Sequence, residues 1–186
     1  MRKGVLVNVR IISGIYGGRK IEAPDNRRTH PMSERIRNAL FNSLGALVRD
    51  ADVLDVFAGT GAVGLEALSR GARHVTFVER DRIAQRILSN NIEALNAVEN
   101  TTIIRTTAHN WIESASPPLF DVIFADPPYH DTQFSTVNEI MGLLKPGGTM
   151  VLSHPGRGEI PTKTGVVVVD NRSYGNAYLT FYRRVE

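Results

Sequence analysis

The sequence contains no cysteine, which excludes a disulfide framework and any metal site built on thiolates. The apolar residues near the amino terminus do not form a long hydrophobic run, because Asn8 and Arg10 interrupt them. This amino-terminal stretch is therefore too short for a signal peptide or a membrane span. Four separate segments contain His30, His109, His130 and His154. We therefore expect a soluble cytoplasmic protein with no metal and no membrane contact.

Neither sign of charge is in large excess, since 22 Lys and Arg face 19 Asp and Glu. The distribution is uneven, however. Residues 1–37 hold nine basic against three acidic side chains, whereas the remainder holds thirteen against sixteen. A basic segment on a mildly acidic domain favours a polyanionic partner, and nucleic acid is the usual one. The alternative is a solubilising tail.

The length of 186 residues and the 42% apolar composition predict one globular domain with a short appendage. Residues 1–32 are predicted to form a basic arm with a β-hairpin that turns at Gly17 and Gly18, since β-prone runs flank these glycines. The residues at 24–32 are predicted to be loop. Residues 33–186 are predicted to form the main domain.

Strand and helix patterns alternate after residue 53, which predicts an α/β fold with a doubly wound parallel sheet. Apolar residues at helical spacing predict three amphipathic helices. The first follows Ser33, with Ile36, Leu40, Leu44 and Leu47 on its apolar face; the second follows Asp81, with Ile83, Ile87, Leu88, Ile92 and Leu95; the third begins at Phe134, with Val137, Ile140, Met141 and Leu144. Further helices are predicted at 62–70 and near Trp111. Strands are predicted at 53–57, 74–78, 101–105, 120–126 and 149–152. A turn is predicted at 145–148, and an antiparallel pair at 165–170 and 177–182.

The segment Asp126-Pro127-Pro128-Tyr129 follows a short apolar run that reads as a buried strand. Neither proline can donate a backbone hydrogen bond to a sheet, so the chain must leave the sheet there. A carboxylate, an aromatic ring and backbone carbonyls therefore lie at the carboxyl end of a strand, where open α/β sheets bind ligands. The alternative is an ordinary polar turn.

A second candidate site is the glycine-rich turn at Gly59, Gly61 and Gly64, which fits G-x-G-x-x-G between a strand and a helix. Glu79 follows Gly59 by twenty residues, at the end of the next strand, where an acid can hold both ribose hydroxyls of an adenosine. Asp55 precedes the turn. An acid there favours a ligand with a cationic amino-acid part and no phosphate, such as S-adenosylmethionine.

The two sites fit one chemistry, methyl transfer to the exocyclic amine of a base. The lone pair of such an amine is delocalised into the ring, so the amine is a poor nucleophile. Asp126 and a backbone carbonyl can accept its N–H groups and turn the lone pair toward the methyl group, and Asp126 can stabilise the developing positive charge. Tyr129 can stack on the base and hold it in line. A neutral leaving group makes a metal unnecessary.

From about residue 10 to 183, the chain resembles the bacterial 16S ribosomal RNA guanine-N2 methyltransferases, a family among the amino-methyltransferases with an Asn/Asp-Pro-Pro-Tyr/Phe motif. Besides Asp126 to Tyr129, the supporting stretches are 10–14, 18–20, 34–37, 40–42, 64–71 and 174–176. The family's Arg-Pro-Thr-Thr-Asp-Arg is replaced by His30-Pro31-Met32-Ser33-Glu34-Arg35. The resemblance implies a Rossmann-like, seven-stranded methyltransferase sheet, S-adenosylmethionine as donor and a guanine of 16S rRNA as acceptor.

The resemblance and the motifs together give the expected site residues. The catalytic residues are expected to be Asp126, Pro127, Pro128 and Tyr129. The cofactor residues are expected to be Asp55, Phe57, Gly59, Gly61, Glu79, Arg80, Ala108, His109 and Asp126. The RNA-binding residues are expected to be Arg10, Arg19, Lys20, Arg35 and Arg37. For Arg35 and Arg37 the alternative is a solvated helix face, and for His109 an ordinary position at a helix start.

The expected partner is 16S rRNA, in the small ribosomal subunit or an assembly intermediate, and the protein is expected to act as a monomer. Three other functions remain open from the sequence. The same chemistry can act on adenine N6 or on a protein glutamine. A non-catalytic RNA-binding assembly factor can carry the same fold. A nucleotide-dependent oxidoreductase shares the glycine-rich turn, although Asp55 and the Pro-Pro-Tyr segment disfavour it.

Overall fold

The structure, a computed structural model, describes residues 5–25, 32–114 and 116–185. Its strands are β1 Leu6–Arg10, β2 Lys20–Pro24, β3 Asp52–Val56, β4 His74–Val78, β5 Thr101–Ile104, β6 Phe120–Ala125, β7 Leu144–His154, β8 Val166–Tyr174 and β9 Ala177–Arg184. Its helices are α1 Glu34–Leu44, α2 Ala62–Ser69, α3 Arg82–Ala94, α4 Ala108–Ser114 and α5 Phe134–Met141, with short 3-10 turns at Gly45–Val48 and Val98–Asn100.

Seven strands form the central sheet in the order β5-β4-β3-β6-β7-β9-β8. The strands from β5 to β7 are parallel, and β9 runs antiparallel to both β7 and β8. This confirms the doubly wound sheet and its antiparallel final pair. The strands β3 and β6 are direct neighbours, with Val56 opposite Ala125, so the two predicted sites follow adjacent strands.

Helices cover both faces of the sheet, which explains why its central strands are apolar on both sides. One core layer packs α1, α2 and α3 against side chains such as Val53, Phe77 and Phe124. The other packs α4 and α5 against Leu54 and Ile123. Among the described residues, no helix is both long enough and apolar enough to cross a membrane.

The amino-terminal hairpin is present, but its turn differs from the prediction. Strands β1 and β2 pair from Leu6–Pro24 to Arg10–Lys20, so residues 11–19 form the connection. The prediction of a tight turn at Gly17 and Gly18 was therefore wrong. The cause is tertiary packing, because Ile11 is buried in the core shared with α1 and α2 and draws the chain inward. Most of the loop predicted at 24–32 lies outside the described residues.

Two helix starts agree with the sequence. The hydroxyl of Ser33 accepts from the backbone N–H of Ile36 at 3.3 Å, and Asp81 caps α3 by accepting from the N–H groups of residues 83 and 84. Two residues that were predicted to lie on the apolar faces of these helices are exposed instead. Leu47 lies in the 3-10 turn beyond α1 and is exposed, and Ile83 faces solvent in the first turn of α3.

The turn predicted at 145–148 is instead part of β7. This strand begins at Leu144, which was predicted to extend the apolar face of α5. The pairing of β6 with β7 shifts register between Phe120 and Val122, so the segment forms a β-bulge. Gly147 adopts φ 77°, a conformation that glycine permits. Strand β7 also continues past Leu152 to Ser153 and His154, beyond the predicted end.

Candidate active site

The carboxyl ends of β3, β4 and β6 bring together the acidic residues that the sequence singled out. Asp55 lies in β3, Glu79 follows β4, and Asp126 follows β6. Asp55 is 3% exposed and accepts the backbone N–H of Gly64 at 2.8 Å. Burial, with the nearby charges of Asp126 and Glu79, raises the pKa of Asp55 well above its ordinary value.

The glycine-rich turn has one open position and two packed ones. A side chain at Gly59 would meet no atom within 4 Å, so a ligand can approach the backbone there. A Cβ at Gly61 would lie 2.4 Å from Leu88, and one at Gly64 would lie 2.4 Å from Phe77. Phe57 has φ 64°, an unusual conformation for a non-glycine residue that clusters at functional sites.

The carboxylate of Glu79 is positioned by backbone N–H groups from the glycine-rich turn and from the start of α3. It accepts the N–H of Gly59 and the N–H of Asp81, each at 2.7 Å. Within residues 5–25, 32–114 and 116–185, no arginine or lysine forms an ion pair with Asp55, Glu79 or Asp126. Three acidic groups around an open turn fit a ligand that carries positive charge and ribose hydroxyls.

Asp126 and Tyr129 are held together by a residue that the sequence analysis missed. Burial raises the pKa of Asp126, and a hydrogen bond from Ser153 opposes this shift. The hydroxyl of Tyr129 lies 2.9 Å from Oγ of Ser153, while 39% of the tyrosine surface remains exposed. Burial also raises the pKa of Tyr129. Ser153 was missed because β7 was predicted to end at Leu152.

The backbone of the Asp126 segment turns away from the sheet at its two prolines, as predicted. Pro127 is buried and Pro128 is half-buried. The carbonyl of Pro128 accepts the N–H of Asp131 at 2.9 Å, which closes the turn. The result is a fixed loop that carries Asp126 inward and leaves part of the Tyr129 ring in solvent.

The remaining residues predicted to bind the cofactor lie at the same edge, but they differ in exposure. Ala108 is buried at the start of α4, whereas His109 points outward, with ring nitrogens 3.4 Å from Glu113 and 3.5 Å from Glu139. Arg80 is exposed. The involvement of His109 through its backbone, and of Arg80, stays a prediction.

Four of the five arginines and lysines assigned to RNA are exposed: Arg10, Arg19, Lys20 and Arg35. Two of them also make contacts within the protein. Arg10 pairs with Glu34. The guanidinium of Arg19 donates to the carbonyl of Ala94 at the end of α3, and it lies 5.9 Å from the ring centre of Tyr16.

Arg37 corrects the prediction, because it is 1% exposed and cannot present its charge to a phosphate. Its guanidinium donates to the backbone carbonyls of Arg10 and Met32, and its Nε lies 3.6 Å from Oε2 of Glu66. Burial lowers the pKa of Arg37. The residue connects α1, α2 and the hairpin, and it is not a surface contact.

These features define the class of the protein: a Rossmann-like fold of the S-adenosylmethionine-dependent methyltransferases. A putative methyltransferase from Escherichia coli has a similar structure, with a TM-score of 0.86, 30% identity and coverage of 96% of this chain and 98% of that one. A putative methyltransferase solved in complex with SAH shares the fold at a TM-score of 0.73 but only 15% identity, over 98% of this chain and 56% of that one.

Sequence comparison identifies the family. The chain belongs to the family described as conserved hypothetical protein 95, which matches residues 9–183 and includes the ribosomal RNA small subunit methyltransferases D. A putative rRNA methyltransferase of Bacillus subtilis is 30% identical over 95% of this chain and 99% of its own length. The ribosomal RNA small subunit methyltransferase D of Escherichia coli is 37% identical over 75% and 68%, respectively. The resemblance inferred from the motifs is confirmed.

Proposed function

We propose that the protein transfers a methyl group from S-adenosylmethionine to the exocyclic N2 amine of a guanine in 16S ribosomal RNA. The observation that carries this proposal is the position of Asp126, whose carboxyl group lies beside Tyr129 and at the same sheet edge as Asp55 and Glu79. The relatives named as rRNA methyltransferases support RNA as the substrate class.

The residues around the glycine-rich turn are suited to hold the cofactor. S-adenosylmethionine, when bound, supplies a methyl group on a positively charged sulfur. Glu79 can accept hydrogen bonds from ribose hydroxyls, and the backbone at Gly59 has space for a ligand against it. In their ionised forms, Asp55, Glu79 and Asp126 attract the cationic part of the ligand, and a bound cation would in turn lower the raised pKa of Asp55.

The part of the site around Asp126, where the base would receive the methyl group, is suited to an amine that has a second N–H donor beside it. An ionised carboxylate can only accept hydrogen bonds. Guanine presents N1–H beside its N2 amine, so Asp126 can accept from both groups, whereas adenine presents an acceptor nitrogen beside its N6 amine. The amine nitrogen gains positive charge as it is methylated, and Asp126 stabilises that charge before the proton is lost. The exposed part of Tyr129 gives the base a stacking surface.

The RNA contacts proposed for Arg10, Arg19, Lys20 and Arg35 would position the backbone phosphates and carry no sequence information by themselves. Because phosphate contacts of this kind do not read the base sequence, we infer that the protein recognises the folded shape of 16S rRNA, in the small subunit or an assembly intermediate. Action as a monomer in the cytoplasm is part of this proposal.

The test is transfer of labelled methyl groups from S-adenosylmethionine to naked 16S rRNA, to small subunits lacking the modification, and to DNA. Wild type and Asp126→Ala are compared on each acceptor, and the labelled RNA is digested to nucleosides. We expect N2-methylguanosine from the wild type and its loss in the variant. N6-methyladenosine would overturn the guanine assignment. Cofactor binding without transfer to any nucleic acid would overturn the substrate class.

A further inference from the structure

Ser153 lies where β7 ends beside β6. Ala125 and Leu152 are opposite each other in these parallel strands, so Asp126 and Ser153 are the next residues along the two chains. Ser153 is 4% exposed, and both residues line the same small cavity beneath the start of α1. The position at the catalytic edge therefore follows from the register of the sheet and not from a mobile loop.

The direction of the hydrogen bonds around Ser153 follows from the chemistry of its partners. Oγ of Ser153 lies 2.9 Å from the hydroxyl of Tyr129, and hydrogen bonding by the serine lowers the pKa of Asp126. An ionised carboxylate can only accept, so the serine hydroxyl can donate its single proton to Asp126 when that group is ionised. The hydroxyl of Tyr129 can then donate its own proton to Oγ of Ser153. The three groups form one chain from the tyrosine through the serine to the aspartate.

We propose that Ser153 is a positioning residue for methyl transfer, whose hydroxyl holds the carboxylate of Asp126 and the ring of Tyr129 in one fixed arrangement around the acceptor amine. The proposal rests on the function proposed above. Tyr129 would align the plane of the base, and Asp126 would orient the amine. Because a single buried hydroxyl sets both, the base and the amine are aligned together.

The same hydrogen bond favours the ionised form of Asp126, which is the form that can accept from the amine. Donation to the charged carboxylate favours ionisation and opposes the effect of burial, which raises the pKa of Asp126. Two titratable groups interact electrostatically with Asp126, namely Asp55 in β3 and Tyr129 on the same loop. Neither is a cation that could replace the serine. Removing the hydroxyl should therefore move the acidic limb of the pH–rate profile to higher pH.

The experiment compares Ser153→Ala, Ser153→Thr, Tyr129→Phe and the double variant Ser153→Ala/Tyr129→Phe in single-turnover methyl transfer. We expect Ser153→Ala to lower the rate by about ten- to a hundredfold, with cofactor affinity within about twofold of wild type. Ser153→Thr, which keeps the hydroxyl, should recover most of the rate. The double variant should be no slower than Ser153→Ala, because the tyrosine hydroxyl acts through the serine.

Thr180→Val is the matched control. Thr180 is also a buried hydroxyl on a neighbouring strand, but it bonds His154 and Asn171. Its loss should leave the rate and the pH profile unchanged even if stability falls. An equal rate loss in Thr180→Val, a normal rate in Ser153→Ala, or multiplied effects in the double variant would each overturn the proposal.

A failure of the proposed function gives a different result, since the wild type would then methylate no guanine. The positioning role remains testable on whichever acceptor the wild type uses. If none is found, crystal structures of wild type and Ser153→Ala decide it. A ring of Tyr129 that keeps its orientation without the serine hydroxyl would refute the role, and a displaced ring would support it.

Discussion

Glu66 and Asp55 are both buried acidic side chains, with exposures of 0% and 3%, but their neighbours differ. Glu66, in α2, accepts the backbone N–H groups of Ile12 and Ser13 and the Nε of Arg70, and it faces Arg37 at 3.6 Å. Asp55 accepts one backbone N–H, and its charged neighbours are two further acids.

The difference separates a carboxylate that stabilises the fold from the carboxylates that we propose to hold the ligand. Glu66 is provided with cations and donors by the protein itself, so it fixes the hairpin to the domain. The acids at the carboxyl edge have no such cations among the described residues, and burial of a charge without a partner is unfavourable. We therefore expect a positively charged ligand to balance the negative charge of this region when it binds. The predictions below test that contrast in order of expected effect.

The largest expected effect is on Glu66. Substituting Glu66→Gln leaves Arg37 as a buried charge without its counterion. We expect the free energy of unfolding to fall by about 3–5 kcal/mol, as measured by urea denaturation. Glu113→Gln, at an exposed glutamate of α4, is the control and should change little. A loss on Glu66→Gln below about 1 kcal/mol would mean that the charge of Glu66 is not needed to attach the hairpin to the domain.

Substitution of Asp126 should have the opposite effect to substitution of Glu66, with a large loss of activity and a small change in stability. We expect Asp126→Ala to lower the rate of methyl transfer by about a hundred- to a thousandfold, because the charge that develops on nitrogen loses its stabilising group. Cofactor affinity should change much less. Asp131→Ala, at an exposed aspartate in the same loop, is the control. Equal losses in both variants would indicate a loop defect and not the loss of a catalytic group.

Asp55 makes the stability of the ligand-free protein depend on pH. Its pKa is raised in the folded state, so folding is favoured by protonation. Below the ordinary aspartate pKa of 3.8 both states are protonated. As pH rises from there to the folded pKa, the unfolded state ionises first and stability falls, by about 1.4 kcal/mol per pH unit. Unfolding midpoints of wild type should show this slope, and Asp55→Asn should flatten it.

The smallest effect concerns Arg35, in the first turn of α1. Arg35→Ala removes an exposed cation, so we expect weaker RNA binding and a salt-dependence slope smaller by about one. The free energy of unfolding should stay within about 0.5 kcal/mol. Arg37→Ala should instead destabilise the fold. Binding titrations at several salt concentrations measure the first effect. An unchanged slope for Arg35→Ala would remove that residue from the RNA surface.

Much of the fold follows from local sequence. Ser33 and Asp81 mark their helix starts with cap hydrogen bonds, and the apolar strands around Asp55 and Asp126 are long enough to identify. The missed features depend on distant residues. Arg37 is buried because Glu66, far along the chain, lies opposite it. The hairpin connection is long because Ile11 reaches the core. Neither contact can be predicted from the spacing of apolar residues, because both join segments that are distant in the sequence.

The site was predictable to the extent that its residues follow strands. Asp126, Glu79 and the glycines each stand at a strand end, and parallel strands bring such ends together. Ser153 obeys the same rule, but Lys145-Pro146-Gly147-Gly148 suggested a turn, so the start and length of β7 were misjudged. A bulge that continues a strand requires the neighbouring strand to be known.

The contrast between Glu66 and the acidic residues at the carboxyl edge of the sheet is tested most directly by calorimetric titration. S-adenosylmethionine is titrated into wild type, Glu79→Ala and Glu66→Gln. Glu79 is assigned to the ribose hydroxyls, and hydrogen bonds to a charged group are strong. We expect Glu79→Ala to weaken binding by about tenfold or more, whereas Glu66→Gln, studied below its unfolding temperature, should bind nearly as wild type does. Unchanged affinity in Glu79→Ala would contradict the claim that the acidic carboxyl edge is the cofactor site.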